Sequence, residues 1–303
     1  MRVLSLSRRK VARHMDGDLR DFCLAGFKIH LVYNFYKCEV GMKRLLMLIS
    51  LLGLTLPVFS GVNEDLVQAA KAGALDIMKN LVAKGGDINA KDQFGWTLLH
   101  WSTYNKRLAM TRYLIKKGGD INAKTSGYKR TRRILFPGGL SVMHTAVYGG
   151  DSEIVKLLIA HGGKVNVKNK IARTPLFYAV DTGSLEMVRL LSSKGADLNI
   201  PDKDGKLALH LAAWRGDLNI TRHLMDKGAD ITVKDRNGLS VLHYSAWGGN
   251  LDILKLLISK GLNLNSKDKN ARTLLHYAVR SGKRGIVKYL ISKGLNLNSK
   301  DLD

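Results

Sequence analysis

The sequence predicts an all-α fold: a solenoid of about seven helix-turn-helix units with projecting β-turn fingers. Three observations predict it. The tetrads Thr97-Leu98-Leu99-His100, Thr174-Pro175-Leu176-Phe177, Leu207-Ala208-Leu209-His210, Ser240-Val241-Leu242-His243 and Thr273-Leu274-Leu275-His276 recur, with a step of 33 residues from Thr174 to Leu207 to Ser240 to Thr273. Ser141-Val142-Met143-His144 joins the series after an 11-residue insertion. An apolar helical run closed by glycine follows each tetrad. A fixed period of this length is the signature of stacked units that bury their faces only against one another. The units fall at about 61–91, 92–124, 125–168 (with the insertion), 169–201, 202–234, 235–267 and 268–303.

Each element of the unit has a local reason. Thr or Ser at the head is an N-cap residue whose hydroxyl can accept from a free N–H two or three residues on. Pro175 sits at the first helical position, where no N–H is needed. Small residues follow (Ala69, Ser102, Ala146, Ala179, Ala212, Ser245, Ala278) and let neighbouring helices approach. The first helix ends near Gly73, Gly150, Gly183, Gly216, Gly249 and Gly282. Lys106 takes that slot in the second unit, with Asn105 before it expected to supply the left-handed turn. The second helix carries apolar residues at helical spacing, as in Ile253, Leu254, Leu256, Leu257 and Ile258. It stops at Gly85, Gly118, Gly162, Gly195, Gly228, Gly261 and Gly294. An apolar residue (Ile88, Ile121, Val165, Leu198, Ile231, Leu264, Leu297) then points back to the core, and turn chemistry such as Asp204-Gly205 and Asn237-Gly238 follows.

Leu209-His210-Leu211-Ala212-Ala213, Thr174-Pro175-Leu176, Lys194-Gly195-Ala196-Asp197-Leu198-Asn199 and Lys227-Gly228-Ala229-Asp230 resemble the ankyrin repeat, over about Val62 to Asp303. The resemblance implies an elongated protein-binding scaffold with a concave groove and finger loops. It also implies a structural role for the recurrent histidines, bonding adjacent units. Placed one unit apart, their imidazoles form a ladder that never converges on a metal, and Phe177 replaces one of them. No metal, cofactor or small-molecule substrate is expected.

The front of the chain differs. Met42-Lys43-Arg44, the apolar stretch Leu45 to Leu56, Pro57 and Val58-Phe59-Ser60 read as a secretory signal peptide over 42–60, cleaved after Ser60. The stretch is too short for a comfortable membrane span of about 20 residues. Met42 is expected to be the real start, with 1–41 an over-extended gene start or non-structured extension. Arg8-Arg9-Lys10 lacks the apolar stretch of a twin-arginine signal. Both cysteines, Cys23 and Cys38, lie in this segment. A repeat region free of cysteine is compatible with an oxidising compartment. The expected location is periplasmic or secreted, with membrane contact only in transit.

The chain has 49 Lys+Arg against 25 Asp+Glu, net +24. Residues 1–60 hold 10 of the basic and 4 of the acidic residues, leaving 39 and 21 and a net of +18 for the repeats. Such a field draws acidic partners. Many of these lysines (Lys84, Lys117, Lys194, Lys227, Lys260, Lys293) end the second helix, where a cation also suits the helix dipole. The connection between Asn122 and Ser141 grows from the usual seven residues to 18. It contains Tyr128, Lys129, Arg130, Arg132, Arg133 and Phe136, a basic and aromatic finger suited to gripping carboxylates or phosphates. Seven residues after each head stand Tyr104, Tyr148, Asp181, Trp214, Trp247 and Arg280. In ankyrins this slot faces the groove, and aromatic and Arg side chains anchor interfaces. Trp101, Tyr178, Tyr244 and Tyr277, four after the head, are expected to pack.

The reading is therefore an exported, monomeric scaffold. It binds a protein, acidic by charge, through Tyr104, Tyr148, Trp214, Trp247, Arg280 and the long finger. A polyanion ligand is the alternative on charge, with nucleic acid disfavoured. Resemblance to bacterial periplasmic ankyrin proteins implies a second alternative, support of a haem-dependent peroxide-detoxifying enzyme. The sequence carries no P-loop, G-x-S-x-G or H-E-x-x-H motif, so no enzyme is expected.

Overall fold

A computed structural model describes residues 61–127, 129–130, 135–296 and 299–302. The expected signal peptide at 42–60 and the extension at 1–41 lie outside the described residues, as do Tyr128, Arg132, Arg133 and Leu297.

Fourteen helices, counted among the described residues, form seven antiparallel pairs. They are α1 (Val62–Ala72) with α2 (Leu75–Ala83), α3 (Leu98–Tyr104) with α4 (Leu108–Lys116), and α5 (Val142–Gly149) with α6 (Ser152–Ala160). Then come α7 (Pro175–Asp181) with α8 (Leu185–Ser193), α9 (Ala208–Arg215) with α10 (Leu218–Asp226), α11 (Val241–Gly248) with α12 (Leu251–Ser259), and α13 (Leu274–Arg280) with α14 (Arg284–Ser292). Helices this short are marginal alone, so stacking must hold them. The first helices pack in one row, α1-α3-α5-α7-α9-α11-α13, and the second helices touch along α4-α6-α8-α10-α12. Among the described residues no helix is long and apolar enough to cross a membrane.

Each pair repeats one core. Leu99, Met143, Leu176, Leu209 and Leu242 of the first helices are buried, as are Ile154, Met187, Ile220, Ile253 and Ile286 of the second. Full burial of one such side chain stabilises by about 1.5–3 kcal/mol. The small residues of the first row are buried without exception, from Ala69 to Ala278. At Gly248 the approach is closest: an added Cβ would collide with the Trp214 carbonyl oxygen.

Two corrections concern helix ends. Lys106 itself takes the left-handed conformation (φ 57°), while Asn105 stays at φ −87°. The Asn105 side-chain amide instead donates to the Lys71 carbonyl at 3.3 Å. The cap hydroxyls follow the expectation in part. Thr97 and Ser141 accept from the N–H three residues on, at 3.4 Å, with the imidazole at that third position closer, whereas the Thr174, Ser240 and Thr273 hydroxyls make no such cap bond.

The fingers are held at their roots by one device. The Oδ1 of Asp92, Asn169, Asp202, Asp235 or Asp268 accepts two backbone N–H groups of its own turn, two and four residues on, at 2.8–3.1 Å. Successive fingers are then joined by single backbone bonds. Lys170 N–H donates to Gly138, Lys203 to Ile171, Arg236 to Asp204 and Lys269 to Asn237, at 2.8–3.0 Å. At the opposite end of the units, side-chain oxygens of Asn89, Asn122, Asn166 and Asn199 accept from the backbone of the next unit at 2.8–3.1 Å.

The long finger contains a two-stranded antiparallel ribbon, β1 (Lys129–Arg130) with β2 (Leu135–Phe136), in which Lys129 pairs with Phe136. Its root is closed by Thr125, whose N–H donates to the Leu140 carbonyl and whose hydroxyl accepts from Leu140 N–H.

Candidate functional site

The recurrent histidines are structural. His100 Nδ1 accepts from Thr97 N–H at 3.1 Å, and Nε2 donates to the Leu140 carbonyl of the next finger at 3.0 Å. His144 repeats this with Ser141 and Arg173, and His210 with Leu207 and Val233. Leu207 has no hydroxyl, so there only the backbone half of the arrangement remains. The partner pattern assigns the proton to Nε2 of a neutral ring. Burial lowers the pKa of His100, His144 and His243 from 6.5 to about 4, against the opposing pull of the accepting carbonyls at His100 and His144 and of the Asp268 charge at His243. Among the described residues no group of three His, Cys, Asp or Glu could hold a metal.

The rings four residues after each head are packed. Tyr178, Tyr244 and Tyr277 are buried. Tyr244 and Tyr277 donate their hydroxyls to Asp235 and Asp268 at 2.8 and 2.6 Å, and Asn169 donates to Tyr178 at 2.9 Å. The finger-root carboxylate thus uses one oxygen for its own turn and the other for a first-helix ring. Burial, then the Asp268 partner, pushes the Tyr277 phenol up to about 12.

The residues seven after each head divide into two groups. Tyr104 and Tyr148 stack at 5.9 Å with an interplanar angle of 6°, and both are half-buried. Phe136 of the long finger folds back onto them, edge-on at 5.9 and 5.3 Å, and also meets Trp96 at 5.6 Å. Phe136 is 2% exposed. The expectation that it reaches a partner is corrected here: its apolar ring is already seated inside the molecule. Trp214 and Trp247 differ, being 43% and 38% exposed. Their rings meet edge-on at 6.4 Å. Trp247 also lies against Tyr244 and Tyr277, at 6.2 and 5.9 Å. Arg280 is exposed and lines, with Arg272, His276, Tyr277 and Asp301, an open depression of about 250 Å³.

Fingers and tryptophans are physically linked. Lys206 at a finger root lies over the Tyr244 ring at 5.9 Å, and Tyr244 lies against Trp247. Arg215, next to Trp214, pairs with Asp181 at 3.5 Å across one unit. Sequence reasoning missed the finger-root Asp and Asn residues, the Asn rungs between units and Lys206. Their signal was present: Asp202, Asp235 and Asp268 also recur every 33 residues.

A family model described as three copies of the ankyrin repeat matches residues 66–169, 142–235 and 209–301. Two curated proteins are similar over shorter stretches. The ankyrin repeat domain-containing protein SAT10 of Stachybotrys chartarum is 28% identical over 110 residues, 36% of this chain and 5% of that protein. The protein VAPYRIN-LIKE of Medicago truncatula is 37% identical over 46 residues, 15% of this chain and 10% of its own length. The chain therefore spans a tenth or less of either relative.

Proposed function

The chain belongs to the ankyrin-repeat family, and from that premise we propose that it is an exported scaffold that grips a protein partner along its first-helix row and fingers. Ankyrin repeats are protein–protein interaction scaffolds and generally not enzymes. The single observation that carries the finer reading is the exposed Trp214–Trp247 pair. Two tryptophans left more than a third exposed on a packed first-helix row are the kind of anchor that dominates interfaces. Tyr104 and Tyr148 are secondary contacts under the Phe136 cover. Arg280 extends the face, with Tyr128, Lys129, Arg130, Arg132 and Arg133 of the finger assigned from sequence alone. Export rests on the sequence of residues 42–60.

The test is affinity purification from the native cell, using the full chain and its Trp214→Ala/Trp247→Ala variant. The variant is expected to keep its helical circular dichroism and to lose the protein retained by the parent chain. Unchanged capture overturns the assignment of the groove. Cell fractionation checks export separately; accumulation in the cytoplasmic fraction overturns it.

A further inference from the structure

Four exposed cations stand in register on successive fingers: Lys170, Lys203, Arg236 and Lys269. Each directly follows a finger-root Asn or Asp, so each is placed by the same turn. The backbone N–H of each is bonded to the preceding finger, which fixes the row unit by unit. The acidic groups of these fingers are engaged elsewhere. Asp202 pairs with Arg173, Asp204 with Lys206, and Asp235 and Asp268 accept from tyrosine hydroxyls. Lys170 Nζ donates to the Ser126 carbonyl, a contact that leaves its charge uncompensated.

The spacing of this row selects a partner conformation. Packed helices lie about 8–10 Å apart, which sets the step between units. A β-strand turns its third residue to the opposite face. A polyproline II segment returns every third side chain to the same face after about 9 Å. The first-helix tryptophans are reached from the fingers through Lys206, which lies over Tyr244, and Tyr244 lies against Trp247. Trp247 is also met by Tyr277 and, edge-on, by Trp214, an aromatic cluster that offers apolar surface to a side chain.

We propose that fingers three to six dock an extended acidic polypeptide segment in a polyproline II conformation. Its carboxylates recur every third residue against Lys170, Lys203, Arg236 and Lys269, and an intervening apolar side chain rests on the Trp214–Trp247 pair. This deepens the protein-binding reading above and rests on it.

The test uses the full chain and two fluorescent synthetic peptides of identical composition. One has Glu at every third position over a four-unit span with Leu between; the other has its Glu residues in one block. At about 0.15 M salt the periodic peptide is expected to bind about tenfold tighter or more. The variant K170A/K203A/R236A/K269A, altered only at exposed side chains, is expected to lose that margin while keeping its thermal midpoint. Equal binding of the two peptides overturns the proposal, as does an oligothymidylate that displaces the periodic peptide at equal charge. If the peptides fail while W214A/W247A still releases the cellular partner, the groove stands and the acidic register falls.

Discussion

A buried imidazole that accepts at one nitrogen and donates at the other has no room for a second proton. His100 and His144 are in that position, joining a helix start to the next finger. In the unfolded chain such a ring titrates near 6.5; in the native state the pKa of His100, His144 and His243 is about 4. Between those values the unfolded chain binds more protons, so stability is complete above about pH 6.5 and is lost as pH falls toward 4. Each group contributes on the order of a few kcal/mol over that window. The thermal midpoint is expected to be level near neutrality and to drop steadily below pH 6.5. A midpoint unchanged down to pH 4 contradicts the ladder. The repeat spacing already argued against a shared metal at these histidines, and the ankyrin resemblance implied their structural role. Their exact partners were not, because the accepting carbonyls belong to loops whose path depends on the stack.

At the scale of the element, turns and close approaches carry the clearest tests. Ala172 and Ala271 hold φ 59° and 57°, at the turn position that Gly205 and Gly238 fill in neighbouring fingers. A Cβ in that conformation costs about 1–2 kcal/mol, partly offset by the entropy that glycine adds to the unfolded chain. Ala172→Gly and Ala271→Gly are therefore expected to stabilise, each by a few tenths to about 1 kcal/mol, read from the denaturant midpoint. Gly248→Ala acts in the opposite sense. Its methyl group would meet the Trp214 carbonyl, forcing α11 away from α9 at a cost of about 1–3 kcal/mol. Tryptophan emission is expected to shift with it, because Trp247 is the adjacent residue. The helix pairs and the Gly-Lys ends were readable from period and composition. The left-handed Lys106 was not: Asn is the better left-handed residue by propensity, and the Asn105 contact with Lys71 decides otherwise. Phe136 was likewise misassigned, since composition marks a loop as adhesive without saying what it adheres to.

Taken whole, the repeat stack is one-dimensional, the main helix contacts of each pair among the described residues being with adjacent pairs. Val147, Val180 and Ala246 are fully buried between pairs, whereas Val279 at the equivalent place in α13 is 60% exposed. Amides of α14 are expected to exchange with solvent about tenfold faster or more than those of α9 and α11; uniform protection would show a single cooperative block instead. Seen at this scale, the insertion does more than lengthen a loop. By laying its own Phe136 across Tyr104 and Tyr148 it acts as a resident guest on units two and three. Under the proposed protein-binding reading, the anchor left open on the first-helix row is the Trp214–Trp247 pair at units five and six. Shortening the insertion is then expected to uncover a second anchor at Tyr104 and Tyr148, with titration stoichiometry as the readout.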